Sequence, residues 1–175
     1  NHQFGLLPDE KKDAIVHACD EILAGELHDQ FVVDIIQGGA GTSTNMNANE
    51  VIANRALEHL GKPHGAYKEI HPLEHVNMSQ STNDVYPTAI KIALHSRIDL
   101  LIDAMGILQE AFEQKAVEFA DILKMGRTQL QDAVPMTLGQ EFRAFAVMLS
   151  EDRDRLREAA KLIQEINLGA TAIGT

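Results

Sequence analysis

The sequence predicts a mainly α-helical fold, a bundle built on long helices with short extended segments near residues 31–36 and 122–131. Three observations lead there. Apolar residues recur at steps of four and three over two long stretches, as they do on helices that pack side by side. Aromatic residues make up only 5% of the chain and tryptophan is absent, which suits packing through Leu, Ile, Val, Ala and Met better than aromatic-rich strands. Segments rich in Thr, Ser, Asn and Gln stand beside predicted helix starts rather than inside helices.

The first helix is predicted over about 8–27. Pro8 suits a first-turn position, Asp9 and Glu10 complement the positive end of the helix dipole, and Ile15, Cys19, Ile22 and Leu23 fall on one stripe. The apolar run 31–36 reads as a strand or an extended lead-in to Gly38-Gly39-Ala40-Gly41. A second helix is predicted over 45–60, stopped by Gly61, with Pro63 preventing a restart. Residues 61–78 contain Gly61, Pro63, Gly65 and Pro72 and read as loop.

The third helix is predicted over 84–119. Its seam is Leu94, Ile98, Leu101, Met105, Leu108, Phe112 and Phe119, interrupted at Lys115. Pro87 sits near its start, where a missing N–H costs little. Residues 124–135 read as loop, overlapping the short extended segment near 122–131. A fourth helix carries Leu138, Phe142, Phe145, Leu149, Leu156, Ala159, Ile163 and Ile166, with Asp152 breaking the seam. Two long seams cannot both be buried against one short helix, so a bundle is expected, which other subunits could complete. The division is an N-terminal helical domain over 1–80 and the first part of a central long-helix domain over 81–175.

Composition removes several function classes. The formal charge is −11, which repels phosphate backbones and argues against nucleic-acid binding. The local basic run Arg153, Arg155, Arg157 is interleaved with acids and reads as a solvated helix face. Cys19 is the one cysteine, so no internal disulfide can form, which fits a reducing cytoplasm. No apolar run is long enough for a membrane span, and residues 1–7 lack the features of a signal peptide. The chain starts without Met and stops in a small-residue segment, and both ends read as cut, as in a fragment.

Three segments are too polar for their places. The first is Gly38 to Asn47. Glycines allow close backbone approach and a helix N-terminus offers N–H groups to an anion, but no Gly-Lys-Ser/Thr follows, which excludes a nucleotide-phosphate loop. Alone, a turn capped by Thr42 or Thr44 is the better reading. The second is Ser79-Gln80-Ser81-Thr82-Asn83-Asp84. Ser81 or Asn83 could be a plain N-cap, yet the cluster exceeds capping needs and makes a neutral donor set suited to a carboxylate. The third is Gly126-Arg127-Thr128-Gln129-Leu130-Gln131-Asp132-Ala133-Val134-Pro135, where Arg127 can hold a carboxylate, or pair with Asp132 or an acid elsewhere to fix the loop, and the structural role is preferred. His71 and His75 lie four apart, but Pro72 disturbs the helix a metal pair would need. No metal and no cofactor is expected.

Together, in this order and spacing, Gly41-Thr42-Ser43-Thr44-Asn45-Met46-Asn47, Ser79-Gln80-Ser81-Thr82-Asn83-Asp84 and Gly126-Arg127-Thr128-Gln129-Leu130-Gln131-Asp132 resemble the fumarase/aspartase superfamily. The resemblance covers nearly the whole chain. Class II fumarases carry His-Thr after the Gly-Arg-Thr, whereas here Gln129 and Leu130 follow, as in some aspartate ammonia-lyases; the stretch 167–175 also looks like theirs. The resemblance implies a lyase that releases ammonia from L-aspartate to give fumarate, working as a homotetramer with active sites shared between subunits. It implies that Thr42, Ser81, Thr82 and Thr128 hold the substrate's β-carboxylate, with Asn83 near the amino group and Gln129 close by. The superfamily's serine base lies beyond residue 175, so no catalytic base is expected in this chain and the chain alone should be inactive. The family's His-Pro-Asn-Asp-His loop is here His71-Pro72-Leu73-Glu74-His75, which argues against the secondary anion site that fumarases form there. Alternatives are a class II fumarase and a non-catalytic helical scaffold that kept the superfamily's body.

Overall fold

The computed structural model describes residues 1–36 and 41–170. The part of the glycine run before Gly41 and the stretch after residue 170 lie outside the described residues. Contacts group the chain into two units, one of Asn1–Ala89 with the segment from Asn167, the other of Ile90–Ile166.

The first unit is built on α1 (Asp9–Leu23) and α2 (Thr42–His59). Pro8 is the N-cap of α1 rather than a first-turn residue, and the helix stops at Leu23, short of the expected end. Its buried face differs from the stripe predicted. Ala14 and Ala18 are buried, Ile15 packs at the edge, and Leu23 is 85% exposed. Small residues win because α1 lies close on α2, whose Ala53, Ala56 and Leu57 complete the core with Ile70. Cys19 is partly buried beside this face, and burial pushes its thiol pKa up.

α2 begins three residues earlier than predicted and ends as expected. Gly61 N–H donates to Glu58 O and Lys62 N–H to Leu57 O, both at 2.9 Å, which satisfies the last carbonyls. The run 31–36 forms no strand. Val32 and Val33 N–H groups both point at Asn47 Oδ1 (3.0 and 3.4 Å), and Val32 and Ile35 are exposed, so among the described residues the apolar run has neither a strand partner nor a core to enter. The loop 61–78 contains a π-turn at Pro72–Val76, in which His71 Nδ1 accepts the Leu73 and Glu74 N–H groups.

α3 (Thr82–Glu118) is the long helix predicted, with Pro87 inside its second turn. A proline there removes the N–H that would bond Asn83 O. That carbonyl instead accepts Asn167 Nδ2 at 2.7 Å, so the break is satisfied from the segment after α4.

In the second unit, α3 continues as one arm of an antiparallel helix pair with α4 (Leu138–Leu162). Thr137 opens α4 with a capping box: its hydroxyl accepts the Gln140 N–H (3.1 Å) and its own N–H reaches Gln140 Oε1 (2.9 Å). The heptad period is present in both helices, but its phase differs from the prediction. Ile98, Met105, Phe112 and Phe119 face inward as expected, whereas Ile102 and Ala116 replace Leu101 and Leu108, which stay about half exposed. On α4 the inward positions include Phe142, Ala146, Arg153 and Ala160 rather than Phe145 and Ala159. Gly139 fixes this phase: a Cβ there would sit 2.4 Å from Ala116 O, so the helices touch backbone to backbone at that level. The rings of Phe112, Phe119, Phe142 and Phe145 cluster above it with centroids 5.4–6.1 Å apart. Arg153 enters the seam and donates to Gln109 Oε1 at 2.8 Å, unlike Arg155 and Arg157, which pair with acids on the solvated face as predicted.

Residues 124–135 are not a loop but most of a hairpin. β1 (Leu123–Thr128) pairs antiparallel with β2 (Gln131–Thr137), with a bulge between Met125 and Arg127. The two-residue turn is Gln129-Leu130, both left-handed at φ 51° and 63°. This turn demands positive φ twice and is usually built from Asn and Gly. Leu130 is fully exposed and has nothing to pack on. Leu130→Gly is therefore expected to stabilise the chain by about 0.5–1 kcal/mol, the strain relieved less the added freedom of the unfolded chain. A thermal melt checks this, and a lowered Tm contradicts it.

Candidate functional site

The second polar segment is an ordered helix start. Ser81 is the N-cap of α3: its carbonyl accepts the Asp84 and Val85 N–H groups. Its Oγ accepts the Asn83 N–H (3.2 Å) and lies 3.3 Å from Asn83 Nδ2. Asp84 reciprocates, with Oδ1 taking the Ser81 N–H at 2.9 Å. So Ser81 does cap, and the capping leaves its own O–H free to donate elsewhere.

Asp84 is the anchor beneath this surface. It is 2% exposed, and its second oxygen accepts the Gly169 N–H at 3.0 Å. Burial alone would raise its pKa, but the N–H groups of Ser81 and Gly169 outweigh that and hold the carboxyl below its usual value. It stays ionised as a structural acceptor.

The first polar segment docks on the same helix start. Gly41 precedes α2 at φ 87°, and Thr42 opens the helix without any side-chain cap, so neither Thr42 nor Thr44 is the N-cap predicted. A Cβ on Gly41 would overlap the Tyr86 ring at 2.1 Å. One turn on, Asn45 is buried and donates from Nδ2 to Thr82 Oγ1 at 2.9 Å. The Asn45–Thr82 bond thus ties the first turn of α2, where Thr42 lies exposed, to the first residue of α3.

Thr128 and Gln129 belong to the second unit. Thr128 ends β1 and Gln129 is the first residue of the strained turn, both exposed. Arg127 is paired with Asp132, its cross-strand neighbour, at 3.4 Å, in line with the structural reading of that arginine. Two adjacent left-handed non-glycine residues mark a strained tip, and such strain gathers at functional sites.

Asn45, Asp84 and Asn167 were not singled out from sequence. Asp84 follows Ser81 at capping-box spacing, which was a usable signal. Asn45 and Asn49 lie on the same face of α2 as Ala53 and Ala56, and two amides on an apolar stripe indicate a buried polar network.

The histidines form two other groups. His71 and His75 each use Nδ1 to accept backbone N–H groups, and burial with Lys11 nearby lowers the His75 pKa. His17, Glu21 and His59 come together between α1 and α2 with a metal-like donor set. The geometry opposes a metal. The His17 and His59 rings stack with centroids 4.0 Å apart, and both Glu21 oxygens already accept from Arg55 at 2.6 Å, so the carboxylate is engaged.

That pair has a pH signature. The Arg55 guanidinium, with help from His59, holds the Glu21 carboxyl at about 2, below its ordinary 4.5. The folded carboxyl releases its proton more readily than the unfolded one. Its stabilisation is therefore complete above about pH 4.5 and is lost as pH falls toward 2. Arg55→Met should flatten this part of the acid limb in urea titrations run between those limits. An acid limb of unchanged slope would contradict the assignment.

A family model described as lyase matches residues 2–175. The aspartate ammonia-lyase of Helicobacter pylori is 59% identical over 175 residues, which is 100% of this chain and 37% of that protein. A crystal structure of a fumarate lyase:delta crystallin from Brucella melitensis bound to cobalt has a TM-score of 0.86 and 63% identity, covering 100% of this chain and 38% of its own. A class II fumarase from Schistosoma mansoni has a TM-score of 0.83 at 36% identity, covering 100% of this chain and 37% of its own. This chain thus spans little more than a third of the relatives it matches. Among the described residues no helix is long and apolar enough to cross a membrane. The match over essentially its whole length places the chain in the lyase family that includes the aspartate ammonia-lyases and class II fumarases.

Proposed function

We propose that the whole protein is an L-aspartate ammonia-lyase, and that these 175 residues supply part of its substrate site. The observation that carries this reading is the donor surface at the start of α3, joined to much higher identity with an aspartate ammonia-lyase than with a class II fumarase. Gln129, where fumarases have histidine, supports the same choice.

The chemistry is an elimination. A base removes a proton from the carbon next to the β-carboxylate, and the electrons move into that carboxylate as a dianionic aci-carboxylate. They return to form the carbon–carbon double bond as the C–N bond breaks, leaving fumarate and ammonia. Charge builds on the carboxylate oxygens in the transition state, so preorganised neutral donors lower the barrier. Ser81, Thr82, Thr42 and Thr128 are the proposed donors to the β-carboxylate, with Asn83 toward the amino group and Gln129 nearby. The base lies outside these residues on this reading, so the isolated chain forms no fumarate.

Homotetramer assembly goes with this reading. Leu94, Leu101 and Leu108 form a second heptad stripe on α3 that the chain leaves exposed. A cytoplasmic location also goes with it, in keeping with a lone cysteine.

Ser81→Ala and Thr128→Val in the intact protein are each expected to lower kcat/KM for L-aspartate by about 100- to 1,000-fold. Near-normal kcat/KM in both would overturn the site assignment.

A further inference from the structure

We propose that Asn45 is a positioning residue that fixes the polarity of the Thr82 hydroxyl, so that Thr82 donates its hydrogen outward, toward the substrate carboxylate. The inference rests on the lyase reading above and deepens it.

The polarity is set from a backbone carbonyl. Gln80 O can only accept, and Asn77 Nδ2 donates to it at 3.2 Å. That orients the Asn77 amide, whose Oδ1 then faces Asn45 Nδ2 at 3.4 Å. Oδ1 also can only accept, so the Asn45 amide is oriented in turn. Its second N–H reaches Thr82 Oγ1 at 2.9 Å. Both hydrogens of Asn45 Nδ2 are now spent.

A hydroxyl that accepts an N–H keeps one hydrogen, which has to point elsewhere. Thr82 is the first residue of α3, so no helical carbonyl stands one turn back to take that hydrogen. The hydroxyl is left as a directed donor, the state that an anionic carboxylate needs. Asn45 is 8% exposed, so water has little access to its N–H groups. Aspartate at this position would keep the shape but turn donor into acceptor, and the Thr82 hydrogen would swing inward.

The test is a double-mutant cycle in the intact protein, read as kcat and KM for L-aspartate, with Tm recorded for each variant. Asn45→Ala and Asn45→Asp are each expected to lower kcat/KM by about 10- to 100-fold, less than loss of a donor itself. In a Thr82→Val background the same substitutions should change it by less than about 2-fold, because the group they act through is gone. If Asn45→Ala fails to fold, Asn45→Asp, the closest in shape, carries the cycle. An undiminished effect in the Thr82→Val background would show that Asn45 acts on the fold or by charge, and overturns the inference. So would normal kcat/KM in the single variants. Inactivity of the unsubstituted protein toward L-aspartate would instead overturn the lyase reading, and this inference with it.

Discussion

Gly41→Ala is expected to destabilise the chain by about 2–5 kcal/mol. Two costs add. At φ 87° an alanine sits in the left-handed region, where its Cβ crowds the backbone. The same Cβ would lie 2.1 Å from the Tyr86 ring, so the ring or the first turn of α2 has to move. Movement there pulls on the Asn45–Thr82 bond, which joins the two helix starts. Urea or thermal unfolding of the chain measures the loss, and a change below about 1 kcal/mol would show that the contact is not held in solution.

Asp84→Asn should cost about 2–4 kcal/mol although it alters a single atom type. The carboxylate accepts N–H groups with both oxygens, from Ser81 at 2.9 Å and Gly169 at 3.0 Å. An amide can satisfy one and sets a donor against the other, in a site 2% exposed to water. The loss should also show as faster amide exchange at Ser81 and Gly169. An unchanged Tm with slow exchange at both amides would contradict the assignment of Asp84 as anchor.

Both long helices were legible in the sequence, because a heptad period over more than twenty residues survives single interruptions. Their phase was not. Leu101 and Leu108 look more apolar than Ala116 and Gly139, and an apolar count favours them. Yet the closest approach between helices needs the smallest residues, which score poorly as core. The Leu94, Leu101, Leu108 stripe is real as a pattern, but the chain's own α4 does not cover it.

The extended segment near 122–131 was legible and is β1, but its pairing into a hairpin was hidden for a different reason. Its turn is Gln129-Leu130, where the pattern of such turns calls for Asn and Gly, so the local signal is missing. Phe31 to Ile36 misled in the opposite direction, since β-branched and apolar residues suggest a strand whether or not a partner exists. In the candidate site, the three polar segments stood out because they carry more hydroxyls and amides than helix starts need. Capping and substrate binding were weighed there as rivals. Ser81 shows that they are compatible, since an N-cap hydroxyl accepts from the backbone and still has a hydrogen to donate.

On the proposed reading, the intact protein eliminates ammonia from L-aspartate. The direct measurement offers it L-aspartate and L-malate separately and follows fumarate absorbance together with ammonia release. Formation of fumarate and ammonia in equal amounts from L-aspartate, with no fumarate from L-malate, is the predicted result. Fumarate from L-malate alone would make the protein a fumarase, and turnover of neither would remove it from both activities.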